Sequence, residues 1–122
     1  MCQYDNRNIF AKILSNQIKC NKVYEDQHTL IFHDSNPVAP VHLLAIPKGM
    51  FTSFDNFILK GSHDEILSFF TSIKKVIYKC KIRQDGYRLI TNNGKSAMQT
   101  VQHFHIHIIA GKKLGPIIVE NQ

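Results

Sequence analysis

The chain has 122 residues, 43% of them hydrophobic and 20% charged, with a formal net charge of +6 at pH 7. That length fits one hydrophobic core, and the composition excludes a disordered or fibrous protein. No apolar run approaches the roughly 20 residues that span a bilayer, and Asp5, Arg7 and Lys12 interrupt any signal-peptide-like stretch, so a cytoplasmic location is expected.

Ile9, Phe10, Ile13 and Leu14 stand at helical spacing, predicting a short helix over Ile9 to Ser15 with Asp5 or Asn6 as cap. Two short strands follow, Lys22 to Asp26 and Thr29 to His33, closed by the turn formers Asp34, Ser35, Asn36 and Pro37. Val41 to Ile46 is a third strand, ended by Pro47 and Gly49. The clearest helix runs from His63 to Cys80: Ser62 and Glu65 have capping-box spacing, and Ile66, Phe69, Phe70, Ile73, Val76 and Ile77 form an apolar stripe. Asp85 and Gly86 mark a turn, Tyr87 to Thr91 a strand, Asn92 to Thr100 a polar loop and Val101 to Ala110 the last strand. This order predicts a single α+β domain over residues 1–122, its mostly antiparallel sheet covered by one long and one short helix.

The positive charge is spread along the chain, with small knots at Lys74/Lys75, Lys79/Lys81 and Lys112/Lys113, which suits a phosphate-bearing ligand better than a specific nucleic acid. Cys2, Cys20 and Cys80 are scattered and odd in number, and read as free thiols.

In His103-Phe104-His105-Ile106-His107-Ile108, imidazoles alternate with large apolar residues. On a strand this places the three histidines on one face and the apolar residues on the other. Such a row serves two chemistries. Neutral imidazoles can ligate zinc, and an imidazole with an ordinary pKa near 6.5 can act as nucleophile or as acid and base. The preceding loop, with Asn92, Asn93, Gly94, Lys95, Ser96, Gln99 and Thr100, supplies the donors that a phosphoryl-transfer transition state requires.

The H-x-H-x-H stretch from His103 to Ile109 resembles the histidine-triad (HIT) superfamily, and within it the Hint branch of nucleoside phosphoramidate hydrolases. Further segments are similar in the same order: Asn8 to Ile18, Val23 to Asp26, Phe32-His33-Asp34, Pro40 to Lys48, Gly86 to Gly94 and Gln99-Thr100. The resemblance implies a HIT fold and a homodimer. It also implies hydrolysis of a purine nucleoside monophosphate bonded to an amine, with no cofactor. His105 corresponds to the nucleophile that forms a nucleotidyl-imidazole intermediate. His107 corresponds to the histidine that helps the leaving group depart, and His103 and His42 to a supporting pair. Asn92, Gln99 and Thr100 match positions contacting phosphate and ribose. Ile18, Phe32, His33, Asp34 and Ser35 match the nucleoside pocket, with Asp34 accepting from the ribose hydroxyls.

The chain departs from this pattern in three places, one of them the tail from Gly111 to Gln122, which lacks the tryptophan seen near the end of some relatives. Asn8, Ala11 and Met50 stand where many bacterial relatives carry two cysteines and a histidine that bind a structural zinc, so no such metal is expected. Met98, beside the phosphate-binding positions, replaces a usual glycine. A dinucleoside polyphosphate hydrolase and a nucleotide-binding adaptor with vestigial catalysis are the alternatives left open.

Overall fold

The computed structural model describes residues 3–119, so the thiol expected at Cys2 lies outside the described residues. Five strands form one sheet in the order β1-β2-β3-β5-β4, namely β1 (Lys22–Glu25), β2 (Thr29–His33), β3 (Val41–Pro47), β4 (Tyr87–Ile90) and β5 (Ile106–Ala110). Every neighbouring pair is antiparallel. The helices are α1 (Ile9–Leu14), α2 (Phe54–Lys60) and α3 (His63–Lys79). No helix among the described residues is long and apolar enough to cross a membrane.

The two faces of the sheet are covered unequally. Ile31, Leu43, Ala45, Ile106 and Ile108 point to one side, where Phe69, Ile73, Val76 and Ile77 of α3, Phe57 of α2, Phe51 and Phe104 complete the main core. Leu30, Phe32, Leu44 and Ile46 point to the other, where the short α1 contributes Phe10 and Ile13. A six-residue helix cannot cover a five-stranded sheet, so part of this second face is left as a cleft.

The capping box of α3 forms as its spacing predicts: the Glu65 N–H donates to Ser62 Oγ, and the Ser62 N–H donates to Glu65 Oε1. At α1 the cap is Asn8 rather than Asp5 or Asn6, its Oδ1 accepting from the Ala11 N–H at 2.9 Å. The sequence reading missed α2, where Ser53 caps the Asn56 N–H and the Asn56 side chain accepts from the Thr52 N–H. Seven residues with Phe54 and Phe57 one turn apart give too short a stripe for periodicity to register. The last strand is also shorter than expected. Ladder pairing begins at Ile106, and residues 101–105 approach it outside the sheet. Cys20 and Cys80 are unpaired thiols.

Candidate active site

The histidines do gather on one side, although only His107 lies on β5. Phe104, Ile106 and Ile108 enter the main core. His103 and His105 turn the other way and meet the ring of Phe10 edge-on, at centroid separations of 6.2 and 5.0 Å. His107 is registered against Leu44 on β3, and His42, two residues earlier on that strand, reaches it diagonally. Two strand positions, the extended approach to β5 and one helix residue therefore bring four imidazoles together.

Their hydrogen bonds fix where each ring carries its proton. A backbone carbonyl only accepts, so a ring nitrogen bonded to one must be the N–H nitrogen. His105 Nδ1 lies 2.7 Å from the His103 carbonyl, so Nδ1 is protonated and Nε2 carries the lone pair. No protein atom among the described residues bonds that Nε2, and it is not sealed from solvent, although the residue is only 7% exposed. His103, fully buried, donates from Nε2 to the Pro47 carbonyl at 2.8 Å and accepts at Nδ1 from the Tyr4 hydroxyl at 2.6 Å. The Val38 N–H donates to His42 Nδ1 at 3.1 Å. His42 Nε2 must then hold the proton, which it directs to His107 Nδ1 at 2.9 Å, with Asp34 Oδ2 at 3.3 Å on the same side. His107 in turn bears its proton on Nε2.

The electrostatics agree with these assignments. Burial pulls the His105 pKa below its ordinary value, against the opposing pull of its carbonyl partner and of Asp34. Burial likewise lowers His103 to about 4, and burial together with the neighbouring imidazoles of His105 and His42 lowers His107 to about 4. The rings of the motif are therefore neutral at pH 7, as a nucleophilic imidazole must be.

Beside these rings lies a cleft of about 560 Å³ lined by Ile18, Phe32, His33, Asp34 and Ser35, with Phe10 and Leu44 connecting it to His105 and His107. Five residues expected in a nucleoside pocket are thus brought together. Phe32 is buried in the cleft wall, Ile18 is partly exposed at its rim, and His33 is exposed at the end of β2. Asp34 serves two purposes: Oδ1 accepts from the Asn36 N–H and shapes the turn, while Oδ2 faces His42. Lys19, Cys20 and Asn21 also line the cleft, and nothing in their sequence context signalled it.

The loop residues are placed differently from expectation. Gln99 does not present its side chain to a ligand. Its amide donates to the Thr52 and Val101 carbonyls and its Oε1 accepts from the Gly94 N–H, so it braces the loop. Thr100 is exposed in a separate open groove with Asp5, Arg7, Asn8 and Ile9, and Ile9 is the residue the two cavities share. Asn92 is half-buried just past β4. Met98 is 77% exposed and adopts φ 61° and ψ 40°, the left-handed region in which glycine is favoured.

None of three candidate zinc arrangements among the described residues fits the donors. The three histidines of the motif do not converge, since His103 spends both nitrogens on Pro47 and Tyr4 and His105 spends Nδ1 on the backbone. Asp34, His42 and His107 do lie within 4.8 Å of one another. Tetrahedral zinc with bonds near 2.0 Å would need its nitrogens about 3.3 Å apart. The 2.9 Å between His42 and His107 is instead an N–H···N bond. At the other candidate position Asn8 is occupied as a helix cap, Ala11 brings no donor and the Met50 side chain is exposed.

An antiparallel five-stranded sheet with histidines gathered beside a cleft on its lightly covered face is the arrangement of a histidine-triad domain, and the comparisons agree. Residues 15–114 match the HIT domain family. A 13.2 kDa HIT-like protein of Azospirillum brasilense is 44% identical over 117 residues, covering 96% of each chain. A histidine triad protein from Clostridium difficile superposes with a TM-score of 0.84 at 38% identity, covering 93% of this chain and 98% of that one. A HIT family hydrolase from Clostridium thermocellum superposes at 0.81 with 33% identity, covering 94% and 99%. The chain belongs to the HIT family.

Proposed function

We propose that this protein hydrolyses purine nucleoside phosphoramidates through a nucleotidyl intermediate on His105. The observation that carries the reading is the neutral His105, its Nδ1–H tied to the backbone and its Nε2 lone pair unbonded beside an apolar cleft of nucleoside size. In the first step Nε2 attacks the α-phosphorus, an N–P bond forms and the P–N bond to the leaving amine breaks. The His107 Nε2–H is the proton source for that amine. Water then attacks phosphorus and returns a proton to His107 Nε2, the His105–phosphorus bond breaks with its electron pair going back to His105 Nε2, and the nucleoside monophosphate departs. Two easier steps replace a difficult one. Phe32 and Ile18 supply apolar surface for the base, and Asp34 an acceptor for ribose hydroxyls.

We propose further that two copies pair, which the exposed edge strand β4 supports, Tyr87 and Leu89 each being 42% accessible. The hydrolase reading is tested by incubating the protein with a fluorogenic adenosine phosphoramidate and, separately, with a dinucleoside polyphosphate. Efficient release of AMP and free amine from the first is expected. Turnover confined to the polyphosphate would move the assignment to the P–O–P bond, and inactivity on both would favour a nucleotide-binding role.

A further inference from the structure

His105 depends on an acceptor that the sheet does not hold. The His103 carbonyl that receives the His105 Nδ1–H belongs to the 101–105 stretch, ahead of the first ladder pair of β5. Around it the Phe104 ring is buried in the main core, Thr91 Oγ1 donates to the His105 carbonyl at 2.8 Å, and Gln99 Nε2 donates to the Val101 carbonyl at 3.0 Å. The Phe104 N–H donates to the Phe51 carbonyl at 2.8 Å, and the His103 ring is bonded at both ends. One end reaches the Pro47 carbonyl at the close of β3, and the other accepts from Tyr4, in a segment that belongs to no helix or strand.

The Tyr4 contact has the features of a built interaction. It joins residues 99 apart in sequence at 2.6 Å, and the two rings meet edge-to-face at 5.5 Å and 71°. Its direction is determined, because Pro47 takes the His103 Nε2–H and leaves Nδ1 only a lone pair, so the phenol must donate. Without that donor a fully buried ring nitrogen would be left unsatisfied.

We propose that Tyr4 is a positioning residue for His105: by bonding the His103 ring it holds the backbone carbonyl that fixes the tautomer and orientation of the nucleophile. The N-terminal segment is thereby part of the active-site framework. The catalytic consequence rests on the hydrolase reading above. The structural consequence does not, and the test separates them.

The experiment compares wild type with Tyr4→Phe, which keeps the ring and removes the hydroxyl, using histidine ¹⁵N-labelled protein and long-range ¹H–¹⁵N correlation spectra. In wild type, His103 should appear as the Nε2–H tautomer with an acceptor-bonded Nδ1, and His105 as the Nδ1–H tautomer. In Tyr4→Phe the His103 Nδ1 resonance should shift toward that of an unbonded nitrogen, and the His105 Nδ1–H should exchange faster with solvent. With the phosphoramidate substrate kcat should fall by up to about 10-fold, the weight of one hydrogen bond, while KM holds.

Tyr4→Leu, which also removes the ring, separates packing from hydrogen bonding. If Tyr4→Phe matches wild type in spectra and kcat while only Tyr4→Leu is impaired, the proposal is overturned. A wild-type spectrum showing the opposite tautomer at either histidine overturns it without any variant. Absence of turnover in wild type would remove the hydrolase reading and leave the spectra to judge Tyr4.

Discussion

Acidification should destabilise this protein between pH 6.5 and 4, through its buried neutral imidazoles. His103 is the clearest case: fully buried, it is held at about 4 where a histidine ordinarily titrates at 6.5. Below pH 6.5 the unfolded chain binds a proton that the folded ring refuses, so stability falls with pH. The contribution is intact above 6.5 and is lost as pH falls toward the folded value. At about 1.36 kcal/mol per pH unit the full gap corresponds to about 3 kcal/mol, of which about 2 kcal/mol is already lost at pH 5. His107, also lowered to about 4, adds to this in the same direction. Against a total stability of about 5–15 kcal/mol for a small domain, the effect is large. Asp26, whose hydrogen bonds from Ser72, His28, Tyr24 and Thr29 outweigh its burial and hold its pKa below 3.8, loses its share only at lower pH. The window from 6.5 to 5 therefore isolates the imidazoles. Urea unfolding at steps from pH 7.5 to 4.5, with the His103 ring followed by NMR, measures the effect. A stability that stays flat between pH 7.5 and 5, or a His103 ring titrating near 6.5, would refute the reasoning.

Replacing His105 by Ala should abolish both turnover and the acid-quenched nucleotidyl adduct while nucleotide still binds; an adduct mapping to another residue would defeat the assignment. His107→Asn should cost about 100- to 10,000-fold, the weight of a positioned general acid, and less for leaving groups that need no proton, as steady-state kinetics on a substrate series will show. Met98→Gly should stabilise the protein by up to about 1 kcal/mol, since relief of left-handed strain outweighs the added freedom of glycine in the unfolded chain, and thermal melting reads this directly. Light scattering at micromolar concentration should return twice 14.0 kDa, and a monomer would remove the proposed pairing.

The long helix was legible because its apolar stripe and capping box agree, and β2 and β3 because dense apolar runs end in turn formers. The His-x-His-x-His pattern also identified the correct face, though for a partly different reason. His103 and His105 alternate in an extended approach outside the ladder, where the His103 ring is fixed by bonds to Pro47 and Tyr4 that no local pattern encodes. Long-range partners explain the other differences. Gln99 looks like a ligand-binding amide in one dimension, yet Thr52, 47 residues away, claims it. Phe10 reads as a core residue of α1 and is one, but the same ring packs on His105, the proposed nucleophile. Tyr4 carries no motif at all, and its role depends wholly on which lone pair His103 has left to offer.

The site is best understood as a set of proton directions. Burial lowers the pKa of His103, His105 and His107, so the three rings of the motif are neutral at pH 7. A neutral ring has one donor and one acceptor, and its chemistry depends on which of them is free. Two backbone groups decide that here. The His103 carbonyl takes the His105 proton at Nδ1 and leaves a lone pair at Nε2. The Val38 N–H occupies His42 Nδ1, so His42 donates to His107 Nδ1 and leaves a proton on His107 Nε2. Adjacent rings of the same residue type thus present opposite polarity, a lone pair on His105 and an N–H on His107, which is what the proposed hydrolysis requires. Neither ring changes charge beforehand, so the site needs no ionisation at neutral pH to be ready. The H-x-H-x-H spacing supplies the rings, and the main chain around them assigns their roles.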